Sequence, residues 1–106
     1  MHRKKRFSFK RLNEQEINYI FTFKSYTIIV FNNGTNQAIT LPLGRLERRL
    51  SREDFFRNHR SYLVNINQID KVEIIGEQLF IIAGGHKLPV ARRRKRRLLE
   101  LLGVVR

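Results

Sequence analysis

Five consecutive side chains that can all donate hydrogen bonds, Arg57-Asn58-His59-Arg60-Ser61, interrupt an otherwise apolar stretch. Phe55 and Phe56 precede them, and Tyr62, Leu63 and Val64 come after. With no acid among them, the cluster suits acceptors: phosphate oxygens, or the acceptor-rich edges of bases. Arginine pairs bidentately with guanine and asparagine with adenine, so Arg60 and Asn58 are of base-reading type. Arg57, His59 and Ser61 suit either phosphate or base. The opposing reading has His59 capping a turn and Arg57 and Arg60 solvated. Residue types alone leave both open.

A second candidate is the run from Arg92 to Arg97, six cations in succession. On a helix these point all the way round, so some would lie on phosphates and others in solvent. Cations at a helix N-terminus also oppose the helix dipole, a cost that a docked phosphate backbone would relieve. A solvated charge run and a membrane-surface helix are the competing readings. Against the membrane, the leucines cluster only in the C-terminal half, and so short an apolar face suits packing on a sheet.

Catalysis finds little support. Histidines stand only at positions 2, 59 and 86, and no HExxH, GxSxG or glycine-rich phosphate loop occurs. Glu53-Asp54 reads as a solvated turn in preference to a metal ligand pair. Gly84-Gly85 beside His86 reads as a hairpin bend in preference to an anion nest. No catalytic residue, metal or cofactor is expected.

The charge balance points the same way as the donor cluster. Lys and Arg number 22 against nine Asp and Glu, a formal +13. Six of the cations lie in residues 1–11, six between Arg45 and Arg60, and six between Arg92 and Arg97. Such a field draws nucleic acid, an anionic membrane or an acidic protein. A length of 106 residues fits one domain with one modest core, and 42% hydrophobic content is globular. The absence of cysteine excludes disulfides and thiolate metal sites and is compatible with a reducing compartment. No apolar run approaches the roughly 18 to 20 residues of a membrane span, and no apolar signal core comes after MHRKKR. A cytoplasmic location is expected.

The elements that must hold these side chains are mostly strands. RFSFKRL (Arg6–Leu12) alternates Phe7 and Phe9 with polar residues. EINYIFTF and YTIIVFN are rich in aromatic and β-branched residues. Asn33-Gly34 predicts a hairpin turn into QAITLPL, because both residues tolerate positive φ. In LGRLERRLS the period changes: Leu43, Leu46 and Leu50 share one face of a helix that begins near Pro42. SYLVN reads as a short buried strand. KVEIIG and EQLFIIAG form a hairpin about Gly76-Glu77, and Gly84-Gly85 leads into HKLPV. Ala91 to Gly103 has good helix formers and a glycine stop, with Leu98, Leu101 and Leu102 on its apolar face and Leu99 alongside. The pattern gives six to eight short antiparallel strands, one mid-chain helix and one C-terminal helix. Most aromatics sit in alternating strand patterns that point to the core, leaving Tyr26 and Tyr62 open.

These residues resemble a known family. FFRNHRSYLVNINQI (Phe55–Ile69) is similar to the signature of the LytTR family of bacterial DNA-binding domains. EINYIFTFKSYTIIVF resembles that family's early strand pair, LGRLERRL its mid-domain helix, and KLPVARRRKRRLLELL its last strand and C-terminal helix. The similarity covers residues 5 to 103. It implies a mostly β fold: an elongated antiparallel domain of small stacked sheets with little helix. It also implies that loops, not a recognition helix, enter successive major grooves and bend the DNA. Such domains usually stand behind a receiver domain or a membrane segment, and neither is present in this sequence.

Carried over by position, the resemblance implies three reading loops. In Phe23-Lys24-Ser25-Tyr26, either Tyr26 or Lys24 is the reader. In the signature, Arg60 takes the main base-contacting position with His59 beside it. At the strand-to-helix junction, Arg93 reads, or Arg92 with a one-residue shift. Phosphates would fall to Arg57, Asn58, Ser61, Ser25, Arg94 and Lys95. The sequence departs from the family pattern at Phe21-Thr22, where an acid is common, and at Ala91, where a hydroxyl is common and would cap the helix.

The expectation is therefore a basic arm (1–5), a DNA-binding domain (6–103) and a tail (104–106). It would bind double-stranded DNA sequence-specifically as a bacterial transcription regulator, two copies side by side on direct repeats, without membrane or small-molecule partners. The alternative is a basic module that binds RNA, a membrane surface or an acidic partner without sequence preference.

Overall fold

A computed structural model of the protein describes residues 12–104. The basic arm and all but the last residue of the strand expected over Arg6–Leu12 lie outside the described residues. The eight strands among the described residues, in chain order, are β1 (Ile17–Phe23), β2 (Tyr26–Phe31), β3 (Asn36–Ile39), β4 (Phe55–His59), β5 (Tyr62–Asn65), β6 (Ile69–Ile75), β7 (Gln78–Ala83) and β8 (His86–Pro89). Helix α1 (Leu43–Arg49) separates β3 from β4, and α2 (Lys95–Leu101) closes the domain. All pairings are antiparallel. The first five strands make one sheet in the order β3-β2-β1-β5-β4, and the last three make a second, β6-β7-β8. The domain is elongated, 52 × 25 × 24 Å. The fold is mostly β, as the sequence predicts.

The large sheet is the middle layer, with a separate apolar cluster on each face. On one side Leu43, Leu46 and Leu50 from the α1 region pack against Ile17, Ile20, Ile29, Ile39 and Leu63. Their i, i+3, i+7 spacing turns all three onto the sheet, and full burial of each stabilises by about 1.5–3 kcal/mol. On the other side Tyr19, Val30, Phe56 and Val64 meet Leu79, Ile81, Ala83 and Leu88 of the small sheet and Leu98 of α2. Strand alternation serves both clusters: Leu63 faces one and Val64 the other.

Two irregularities re-aim the large sheet. In β1 the register shifts between Ile17 and Tyr19, so Asn18 is an extra residue. Its buried Nδ2 donates to the Ala83 carbonyl at 3.2 Å and joins the two sheets. Gly84, at φ 55°, leaves room for that joint; a Cβ there would stand 2.5 Å from Asn18 Nδ2. In β4 a second shift falls between Phe56 and His59, within the donor cluster.

Turn chemistry differs in part from expectation. Gly34 has φ 89°, but among described non-glycine residues only Lys24 has positive φ, at 55°. Asn33 instead works through its side chain, whose Oδ1 accepts from the Thr35 N–H at 2.9 Å. The C-terminal helix begins as a 3₁₀ turn over Arg92–Arg94, after an Ala91 that offers no side-chain cap. Leu98 is fully buried with Leu99 and Leu102 against the same cluster, while Leu101 is exposed, correcting the expected apolar face. Gly103, at φ 74°, ends the helix: its N–H bonds the Glu100 carbonyl, and the Val104 N–H reaches back to Leu99. Among the described residues no helix is long and apolar enough to cross a membrane.

Candidate nucleic-acid interface

The donor cluster is formed by the end of β4 and the turn Arg60-Ser61 beyond it. Its five members divide into two that hold and three that present. Asn58 is fully buried. Its Nδ2 donates to the Pro89 carbonyl at 2.7 Å, and its own carbonyl accepts the Ala91 N–H at 2.8 Å. The expected phosphate contact by Asn58 is therefore corrected, because a side chain without solvent access cannot meet a phosphate. Its Oδ1 is buried and has no partner among the described residues.

Arg57 is likewise committed inward. Its guanidinium donates to Glu47 Oε1 of α1 at 2.8 Å, to the His59 carbonyl at 2.9 Å and to the Arg60 carbonyl. The planar fork suits three acceptors at once. Three of its five N–H donors thus hold the turn, and the other two are left at the cleft for the expected phosphate contact.

His59, Arg60 and Ser61 are what the clamp presents. The Ser61 N–H donates to His59 Nδ1 at 3.0 Å. A backbone amide can only donate, so the neutral ring carries its proton on Nε2 and offers a donor there. The ring meets Tyr62 edge-on, with centroids 5.7 Å apart. The Arg60 side chain is exposed and has no partner among the described residues.

The other two expected loops converge on this turn. Arg92, Arg93 and Arg94 are exposed, their side chains again without partners among the described residues. With Arg57, Arg60, Glu47 and Ala91 they line a cleft of about 410 Å³. The rest of the basic run is partly occupied: Lys95 Nζ donates to the Glu77 carbonyl at 2.7 Å, and Arg96 and Arg97 pair with Glu100. On the opposite side the Thr22 N–H donates to the Ser61 carbonyl at 3.0 Å. That bond sets the two-residue turn Lys24-Ser25 beside Arg60-Ser61. Lys24, Ser25 and Tyr26 are all exposed there. Three loops far apart in sequence thus share one end of the large sheet.

Compared with known proteins, the chain matches over residues 8–103 a family model described as the LytTr DNA-binding domain. The chain belongs to the LytTr DNA-binding family. A solved structure with this fold is the LytTr domain of a Bacillus cereus protein described as a methyl-accepting/DNA response regulator. Its TM-score is 0.74 at 22% identity, covering 83% of this chain and 82% of that one. A search of curated proteins found no match.

Phe23, which opens the first expected reading loop without being its reader, is more exposed than the strand pattern predicts. It ends an alternating aromatic strand and reads as core, yet it is 56% exposed, as is Tyr26 at 49%. Its position two residues beyond Phe21, at the lip of a hairpin, is the available signal. For Asn58 the signal is alternation, since it stands two residues after the buried Phe56.

Proposed function

We propose that this LytTr domain binds double-stranded DNA sequence-specifically and regulates transcription, reading major-groove base edges through three loops. Arg60 and His59 read from the β4–β5 turn, Arg93 or Arg92 from the junction before α2, and Tyr26 or Lys24 from the β1–β2 turn. Arg57, Arg94, Lys95, Ser25 and Ser61 hold phosphates, and two copies lie side by side on direct repeats. One observation carries the reading: Arg60 and Arg93, remote in sequence, line one cleft with no side-chain partner among the described residues, held from behind by Asn58 and Arg57. Guanidinium groups mounted on a fixed backbone suit bidentate pairing with guanine, where each good pair discriminates by about 1–3 kcal/mol.

Selection from random duplexes tests this. An enriched motif containing two copies of one half-site is expected. A sequence-independent module for RNA, membranes or acidic partners yields no enrichment, and that result would overturn the proposal.

A further inference from the structure

We infer that Phe23 is a specificity-determining residue that takes the C5-methyl group of a thymine lying between the bases met by Arg60 and Tyr26. This rests on the DNA-reading proposal above and adds a residue to it.

The register places Phe23 between the two readers. β1 and β5 pair Tyr19 with Val64, Ile20 with Leu63 and Phe21 with Tyr62. The next step is the Thr22–Ser61 backbone bond, and one step further brings Phe23 level with Arg60. On its other side Phe23 is the cross-strand partner of Tyr26. Arg60, Phe23 and Tyr26 therefore form a row across the end of the large sheet. Adjacent strands lie about 4.8 Å apart, so the outer two positions are roughly 10 Å apart. At about 3.4 Å per base pair along one strand, that spans about three steps. The middle residue faces the bases in between.

The chemistry of that middle position is apolar. On the face Phe23 shares with the small sheet, Tyr19 is buried and Phe21 and Tyr62 are half-buried, their rings 6.0 Å apart. Cover by the small sheet and α2 ends there, and Phe23 and Tyr26 emerge as uncovered rings. Lys24, whose Nζ lies 5.5 Å from the Phe23 ring centroid, adds positive charge beside it. Its left-handed backbone fixes the tip of the turn in a conformation that non-glycine residues rarely adopt. A phenylalanine with Lys24 beside its ring and Arg60 next in the row fits a polyanion that offers one apolar group. The major-groove edge of DNA has such a group, the thymine methyl.

Deoxyuridine differs from thymidine by that methyl alone, so it isolates the contact. Each thymine of the selected site is replaced singly, and affinities are measured for wild type, Phe23→Ala and Phe23→Leu. At one thymine, wild type should lose about fourfold on the uridine duplex, the value of one buried methyl-sized group. Phe23→Ala should bind the two duplexes equally there, and Phe23→Leu should keep part of the preference. Thermal melting confirms that the variants fold, as expected for so exposed a side chain. If at every thymine the ratio is independent of residue 23, the inference fails while the enriched motif keeps the DNA-reading proposal standing. If selection yields no motif, the parent proposal itself falls and takes this one with it.

Discussion

Asn58 and Pro89, 31 residues apart in the chain, are joined by a hydrogen bond of 2.7 Å from the buried asparagine amide to the proline carbonyl. The Asn58 carbonyl takes the Ala91 N–H in addition. One residue thus fixes the start of the basic helix to the strand that delivers Arg60. The two strongest candidate readers are mounted on a common support, and their spacing is set by backbone contacts, not by their own flexible side chains.

Asn58→Ala removes the donor to Pro89 and leaves a cavity at a fully buried site. It should lower stability by about 1–3 kcal/mol, read by urea denaturation. Binding should weaken on the preferred duplex, because Arg60 and Arg93 lose their common frame. Asn58→Asp should be worse near neutral pH, since it buries a carboxylate facing a carbonyl. Unchanged stability in Asn58→Ala would remove the clamp from the account.

The Arg57 fork makes an equally specific prediction. Arg57→Lys keeps the charge but cannot reach Glu47 and two turn carbonyls together. It should behave nearly as badly as Arg57→Ala, with stability down by roughly 1–3 kcal/mol. Recovery of full stability and affinity by lysine would show that Arg57 contributes charge alone.

Much of this arrangement is legible in the sequence, and the limits are physical. Alternation finds the strands, and the leucine spacing finds α1. The inward position of Asn58 accords with alternation after Phe56, but the β4 bulge depends on the register against β5, which no local pattern encodes. The Arg57 clamp depends on Glu47, a neighbour only once α1 has packed. Leu101 faces outward because the helix docks through Leu98, Leu99 and Leu102, a choice of face that the leucine spacing leaves open. Phe23 is exposed because the small sheet's cover stops short of it, which is a tertiary fact.

Phosphate contacts should appear in the salt dependence. With about six to ten cation–phosphate contacts over two bound copies, N-terminal cations included, affinity should fall about 10³- to 10⁵-fold between 50 and 200 mM salt. Arg94→Ala should weaken binding to all duplexes alike and reduce the logarithmic salt slope by about one. Loss confined to the preferred site would instead make Arg94 a base reader.

Tyr19 offers a pH test of the inner cluster. Burial, with the neighbouring Tyr62 phenol, raises its pKa above the usual value of 10.0. The folded state therefore favours the neutral phenol. Its contribution is fully present below about pH 10 and is lost as pH rises through the raised folded value. Melting temperature should fall more steeply above about pH 10 in wild type than in Tyr19→Phe, which cannot ionise. Parallel curves would contradict the burial of Tyr19 as the cause.

The most direct test is the ratio of affinities for the selected duplex and a scrambled one, measured at a single salt concentration for wild type and Arg60→Ala. Base reading by Arg60 predicts a loss of about 1–3 kcal/mol on the selected duplex and little on the scrambled one, so the ratio collapses. Equal losses on both duplexes would reduce Arg60 to a phosphate contact and contradict the account.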